Sequence, residues 1–338
     1  MKWILRLLVL LLALIIALGA AAWFAANWWL DRPMPLRTTP VEVSIEPGMS
    51  PMSVAQAWVQ AGVDERPRLL YEWFRWSGQA RNIRAGSYVL KEPTTPRELL
   101  AKLVRGEEVL ESVRLTEGLT FRDFRQALSK APHLEPTIAT MSDAQVMAAV
   151  GAPSGVAPEG RFFPDTYAYG RGVSDITVLK RAYAAMQRQL EKAWAAKPAN
   201  SPLKTIDDAL ILASIVEKET GLEADRGKVG AVFNNRLRIG MPLQTDPTVI
   251  YGLGEGFDGN LRKRDLTTDT PYNTYTRKGL PPTPIAMPGA PSIRAAINPD
   301  ASKALYFVAR SDGSGGSVFS DTLDAHNRAV NQFQRKSK

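Results

Sequence analysis

The sequence predicts an α+β protein in three parts: an N-terminal transmembrane helix, a small α+β module and a larger, mainly helical α+β domain. Three observations carry this. Residues 7–30, LLVLLLALIIALGAAAWFAANWWL, hold no charge, and as a helix they reach about 36 Å, enough to cross a hydrocarbon core of about 30 Å. Between residues 41 and 115, short runs that alternate apolar with polar residues are interleaved with capped helical segments. From residue 174 to 238 the 3.6-residue period dominates, and strand character returns only in a hairpin near the C-terminus.

Lys2 and Arg6 precede the apolar run, and Trp23, Trp28 and Trp29 gather at its far end, where interfacial aromatics belong. Ala20–Ala22 also reads as a cleavage site of a signal peptide. The run is longer than a usual signal core, which favours a retained anchor over residues 7–30. Arg32 and Arg37 balance Lys2 and Arg6, but the short tail of residues 1–6 favours a cytoplasmic N-terminus, with everything beyond residue 31 outside the cytoplasm. The proline-rich DRPMPLRTTP, residues 31–40, reads as a linker.

The small module covers 41–117. Val41, Val43 and Ile45 alternate as a strand, and Ser50-Pro51 opens a helix that Gly62 closes. Residues 67–76 form a second helix rich in rings, at Tyr71, Trp73, Phe74 and Trp76; these serve either the core or stacking on sugars. A strand at 85–90 follows. Thr95, Pro96 and Glu98 then give the N-cap, N1 and N3 of a capping box, with Gly106 ending that helix. Val109–Leu115 alternates again.

The larger domain covers 118–338. Thr120 with Asp123 starts a helix, and EGRFFPDTYAY, residues 159–169, breaks the helical rhythm as a loop suited to line a carbohydrate cleft or to connect helices. Ser174 caps a long helix with a stripe of Ile176, Leu179, Tyr183, Met186, Leu190 and Trp194. The segment from Ala224 is helical through Val229, Val232, Phe233 and Leu237, with Gly240 as its stop. Residues 242–290 are aperiodic and rich in glycine and proline, the mark of a functional loop region. A hairpin turning at DGSGG and a helix from Thr322 end the chain.

At 338 residues, with 45% hydrophobic and 22% charged content, there is material for two folded domains beyond the anchor. The formal charge of +8 suits an anionic partner such as a phospholipid surface or an acidic wall polymer. No basic run interleaved with aromatics points to nucleic acid. There is no cysteine, and His133 and His326 are the only histidines. Disulfides, thiolate metal sites and a histidine-centred triad are thereby excluded or made improbable, and no metal or cofactor is expected. Carboxylates remain for acid–base work.

One helix concentrates that possibility. TIDDALILASIVEKETG, residues 205–221, has Thr205 as N-cap, Asp207 and Asp208 in its first turn, and Gly221 as the C′ residue. Ile211, Leu212, Ile215 and Val216 share one face, with Glu219 in the middle of that stripe. Glu217 lies beside Leu210, Ala213 and Ser214. A carboxyl among apolar side chains loses hydration, keeps its proton to higher pH and suits a general acid. A solvated glutamate near a helix end is the plain alternative, and Glu217 is the fallback acid should the helix be rotated.

IVEKET, EGRFFPDTY, NNRLRIGMPLQTDPTVIYG, YNTY and GLPPTPIAMPG together resemble the signature blocks of the endolytic murein transglycosylases, the YceG-like or MltG family. The resemblance covers nearly the whole chain. It implies a single-pass inner-membrane protein whose LysM-like module and catalytic domain lie in the periplasm. It further implies lytic cleavage of the MurNAc-β-1,4-GlcNAc bond within glycan strands, leaving 1,6-anhydro-MurNAc ends, and a role in ending nascent strands beside peptidoglycan synthases. By position, the family's catalytic glutamate falls on Glu219. Glu159, Asp165, Tyr167, Gln244, Asp246, Tyr272, Asn273 and Tyr275 are candidates for binding sugar or for pinning loops. Two other readings stay open: a water-using muramidase with Asp246 or Glu159 as base, and an anchored wall-binding scaffold without catalysis.

Overall fold

A helix of 29 residues, α1 (Lys2–Leu30), begins the computed structural model, which describes residues 2–335. Met1, the first residue of the expected cytoplasmic tail, and residues 336–338, the last of the expected catalytic domain, lie outside the described residues. The stretch Arg6–Leu30 is long and apolar enough to cross a membrane. Beyond it the fold is mixed α+β, and the chain divides into two compact units: Met1–Glu111 with Tyr169–Gly172, and Ser112–Ala168 with Val173–Lys338.

The first unit runs β1 (Val41–Ile45), α2 (Pro51–Ala61), α3 (Pro67–Trp76), β2 (Gly86–Leu90) and α4 (Pro96–Arg105). β1 and β2 are antiparallel, with Val43 opposite Tyr88. Val41, Val43 and Ile45 point inward, as their alternation requires. Ser50 caps α2 by accepting the Ser53 N–H, Thr95 and Glu98 close the expected capping box on α4, and Gly106 ends α4 in the left-handed region. Trp58, Leu70, Phe74, Tyr88, Leu99 and Leu103 fill the core. Residues 31–40 pack onto this unit: Met34 is buried and bridges to Thr94, and Arg37 pairs with Asp64 at 2.7 Å.

Apart from Glu111 and Tyr169, which belong to the first unit, β3 (Glu111–Leu115), α5 (Phe121–Ser129), α6 (Asp143–Ala149), β4 (Asp165–Tyr169), α7 (Asp175–Trp194), α8 (Ile206–Glu219) and α9 (Glu223–Arg238) lie in the second unit. After these come α10 (Asp246–Leu253), α11 (Lys263–Thr267), α12 (Ala290–Ile297), the β5 (Tyr306–Ala309) and β6 (Ser317–Ser320) hairpin, and α13 (Leu323–Val330). Four expectations need correction. Residues 242–290, read as a loop region, include the short helices α10 and α11. Residues 165–169, read as loop, form a strand that pairs with β3. Ser174 precedes α7 without capping it, because its hydroxyl bonds Thr137 instead. Gly221 is not a left-handed C′ residue: α8 ends at Glu219, and Thr220 turns away extended.

α8 is also more buried than its stripe suggests, since every residue from Ala209 to Val216 is buried. Leaving water stabilises the fold by roughly 1.5–3 kcal/mol for each of the larger side chains among them. The face beside Leu210, Ala213 and Ser214 is covered by the aperiodic 284–289 segment, whose Ile285 N–H donates to Ser214 Oγ at 3.0 Å. α12 packs on α8 and α9, and it lies so close to α9 that a Cβ at Gly230 would stand 2.2 Å from the Ala295 carbonyl oxygen. Glycine is therefore required there.

Candidate active site

Thr205 and Asp208 form a capping box that fixes the start of α8, and Asp207 in the same turn pairs with Arg161 at 2.6 Å. The other end of the helix carries two carboxylates. Glu217 and Glu219 follow the buried stretch, and different partners take them. Glu217 Oε2 accepts the Gly289 N–H at 2.9 Å, which places a carboxylate at the N-cap of α12, where a helix end favours negative charge. This contact occupies the fallback acid in holding two helices together.

Glu219, the last helical residue, is half-buried and accepts a short hydrogen bond from the Thr245 hydroxyl. Burial pushes its carboxyl above the usual range; the Thr245 bond opposes this, Asp246 adds to it, and the Arg236 guanidinium opposes it again. Hydrogen bonds and cations favour the charged form, whereas desolvation and a neighbouring anion disfavour it. The balance leaves an acid that holds its proton more tightly than a free glutamate.

Thr245 is itself tightly held. Its side chain is buried, its N–H donates to Thr274 Oγ1 at 3.1 Å, and Thr248 Oγ1 bonds both the Thr245 carbonyl and Thr274 Oγ1. Gln244, just before it, takes a left-handed φ of 48°, rare for a residue with a side chain, and donates its N–H to the Thr274 carbonyl. Arg236 on α9 steadies the approach by donating to the carbonyls of Leu243 and Leu305, each at 2.7 Å. Asp246 starts α10 and accepts the Tyr275 hydroxyl at 2.6 Å.

Of the residues singled out in the sequence, Asp246 and Tyr275 lie close enough to Glu219 to interact with its charge, and Gln244 immediately precedes the Thr245 that bonds it. Asn273 has a different role: fully buried, its amide donates to the carbonyls of Asp265, Leu266 and Thr268 and its Oδ1 accepts the Tyr275 N–H, so it pins the loop. Tyr272 bonds Thr283 and packs on Tyr251, whose hydroxyl reaches Glu159 Oε2 at 3.2 Å. Glu159 also accepts the Phe121 N–H in the first turn of α5, and its burial pushes the carboxyl up to about 7. It borders a cleft of about 900 Å³ that is also lined by Lys218, Pro247, Ile250 and Tyr251, adjoining the ends of α8 and α10. Asp165 and Tyr167 lie elsewhere, in a shallower cleft against Arg181 and Arg188 of α7, and the Tyr167 hydroxyl is spent on the Phe163 carbonyl.

Sequence reasoning passed over Thr245 and Arg236, although both stand inside the quoted NNRLRIGMPLQTDP run. Their signal is positional: Thr245 sits between two named candidates, and Arg236 is a buried cation on a helix face. Among the described residues, no cluster of three or more His, Cys, Asp or Glu is arranged to hold a metal ion.

A family model described as the YceG-like family matches residues 43–332. The endolytic murein transglycosylase of Bacillus subtilis (strain 168) is 30% identical over 311 residues, covering 87% of this chain and 85% of that protein. The endolytic murein transglycosylase of Streptococcus pneumoniae serotype 2 is 27% identical over 348 residues; the alignment takes in 93% of this chain but only 62% of that longer protein. The 2.6 Å crystal structure of a yceG-like protein from Listeria monocytogenes superposes with a TM-score of 0.54 at 29% identity, covering 86% of this chain and 99% of that one.

Proposed function

The chain belongs to the YceG-like family, and on that premise we propose that it is an endolytic peptidoglycan lytic transglycosylase acting through Glu219. The observation that carries this reading is the half-buried Glu219 carboxyl at the end of α8, bonded by Thr245, its pKa raised, with the Asp246–Tyr275 pair beside it. Protonated Glu219 gives its proton to the oxygen linking MurNAc to GlcNAc as the bond to the MurNAc C1 breaks. The MurNAc C6 hydroxyl then bonds to C1, and the Glu219 carboxylate takes that hydroxyl's proton. The acid is regenerated, no water is consumed, and a 1,6-anhydro end remains. Because the nucleophile belongs to the same sugar, its effective molarity does much of the work for which a glycosidase needs a second carboxylate.

Gln244, Asp246 and Tyr275 would hold the sugar at the acid, and Glu159 and Tyr272 would border the neighbouring cleft. The β1–α2–α3–β2 order and the size of the 41–117 segment support a LysM-like module. Residues 118–338 then form the catalytic domain. Arg6–Leu30 supports a single inner-membrane span after a cytoplasmic tail, with both domains periplasmic and close to the peptidoglycan synthases that supply nascent strands.

The masses of the products test the reading. Glycan strands treated with the full chain in detergent should yield new ends one water lighter than hydrolysed ends. Hydrated ends would make the enzyme a muramidase, with Asp246 the nearest candidate base. Binding without new ends would make it a scaffold.

A further inference from the structure

α3 has a face that catalysis leaves unused. It buries Leu70 and Phe74 in the core of the first unit, while Leu69, Trp73 and Trp76 follow at i, i+4 and i+7 along the side that meets α1, Trp73 also packing on the core and donating its Nε1–H to the Pro96 carbonyl at 3.1 Å. Leu69 is 42% and Trp76 78% exposed. This side and the last turns of α1, at Ala26, Trp29 and Leu30, enclose an apolar groove of about 460 Å³. The end of α1 is fastened to the unit around it: Trp29 Nε1 donates to Glu65 at 2.8 Å, and Arg97 donates to Asp31 at 2.9 Å and to Asn27 at 3.2 Å. The anchor therefore sets the depth of the groove.

The uncharged run of α1 reaches about 36 Å, some 6 Å more than a hydrocarbon core, which brings Ala26–Leu30 to the headgroup level. We propose that the Leu69–Trp73–Trp76 face of α3 lies in the headgroup–acyl boundary of the bilayer that α1 crosses, with phospholipid filling the groove. The occupant follows from continuity, because one wall of the groove is the lipid-facing helix itself. Cations stand at the same level: the Arg75 guanidinium, paired with the groove-lining Glu72 at 3.0 Å, stands 5.7 Å over the Trp76 ring, and the Arg32 guanidinium 5.3 Å over Trp28, which places cations beside interfacial rings, where lipid phosphates are. The inference rests on α1 being a retained span, as proposed above.

The chain has no cysteine, so single nitroxide labels can be placed without background. Leu69→Cys and Trp76→Cys, both at exposed positions, would be labelled in the full chain in nanodiscs of phosphatidylcholine and phosphatidylglycerol at one chain per disc. Leu18→Cys in the span and Ser44→Cys on the exposed side of β1 are the references. Labels at 69 and 76 should be several-fold less accessible to a water-soluble nickel chelate than the label at 44. Accessibility equal to that at 44, with 18 protected, overturns the inference and leaves the span intact. A label at 18 open to the chelate overturns the span and the inference with it. Protection at 69 and 76 that needs two chains per disc gives the groove to a second copy and overturns the lipid assignment.

Discussion

Two glutamates two positions apart on one helix have different work because different groups meet them. Glu217 meets a backbone N–H, and Glu219 meets a threonine hydroxyl inside a partly closed site. The site's electrostatics give opposite expectations for two of its members. If catalysis needs protonated Glu219, kcat/KM falls as pH rises through its raised pKa. Thr245→Val removes a bond that favours the anion and should move that alkaline limb to higher pH; Asp246→Asn removes a charge that disfavours it and should move the limb lower. Limbs that do not move, or that move together, would remove Glu219 as the group that titrates. Glu159 makes a second expectation, for stability. Its carboxyl rises from 4.5 to about 7 on burial, so its contribution is fully present below about pH 4.5 and is lost as pH climbs through 7, by about 3 kcal/mol. Urea unfolding across that range should lose most of this slope in Glu159→Gln.

Local devices were the most legible elements. The caps at Ser50, Thr95, Thr120 and Thr205 are each set by residues within three positions of one another, and all four form. What the sequence did not show depends on distant chain. The stripe on α8 marked out Glu219 by assuming one buried face, yet the helix is covered on all sides, because the aperiodic 284–289 loop and α12 supply the rest. Thr245 and Arg236 escaped notice for the same reason, since only the folded chain brings them to Glu219. The 159–169 segment read as one unit but divides, with Glu159 beside the cleft at α10 and Asp165 and Tyr167 on the side of α7. At this scale Glu217 has a structural duty that can be measured. Glu217→Ala should cost about 1–2 kcal/mol in urea unfolding by uncapping α12, while turnover stays near that of the parent. A collapse of turnover with stability unchanged would instead make Glu217 the acid.

For the molecule as a whole, the α+β class and the apolar N-terminal helix were legible from alternation, period and charge alone, and family membership came from blocks spread along the chain. Their spread has a physical sense: GLPPTPIAMPG packs along α8, QTDP supplies the hydroxyl that Glu219 accepts, and YNTY holds the loop behind it. Segments far apart in sequence thus surround one helix end. The most direct test of that convergence is glycan cleavage in water enriched in heavy oxygen, comparing the parent with Glu219→Gln by mass spectrometry. With Glu219 as the acid, the parent forms anhydro ends without heavy oxygen, and a folded Glu219→Gln chain forms them about 10²–10⁴-fold or more slowly. Heavy oxygen in the new ends, or an undiminished rate in the variant, would contradict this.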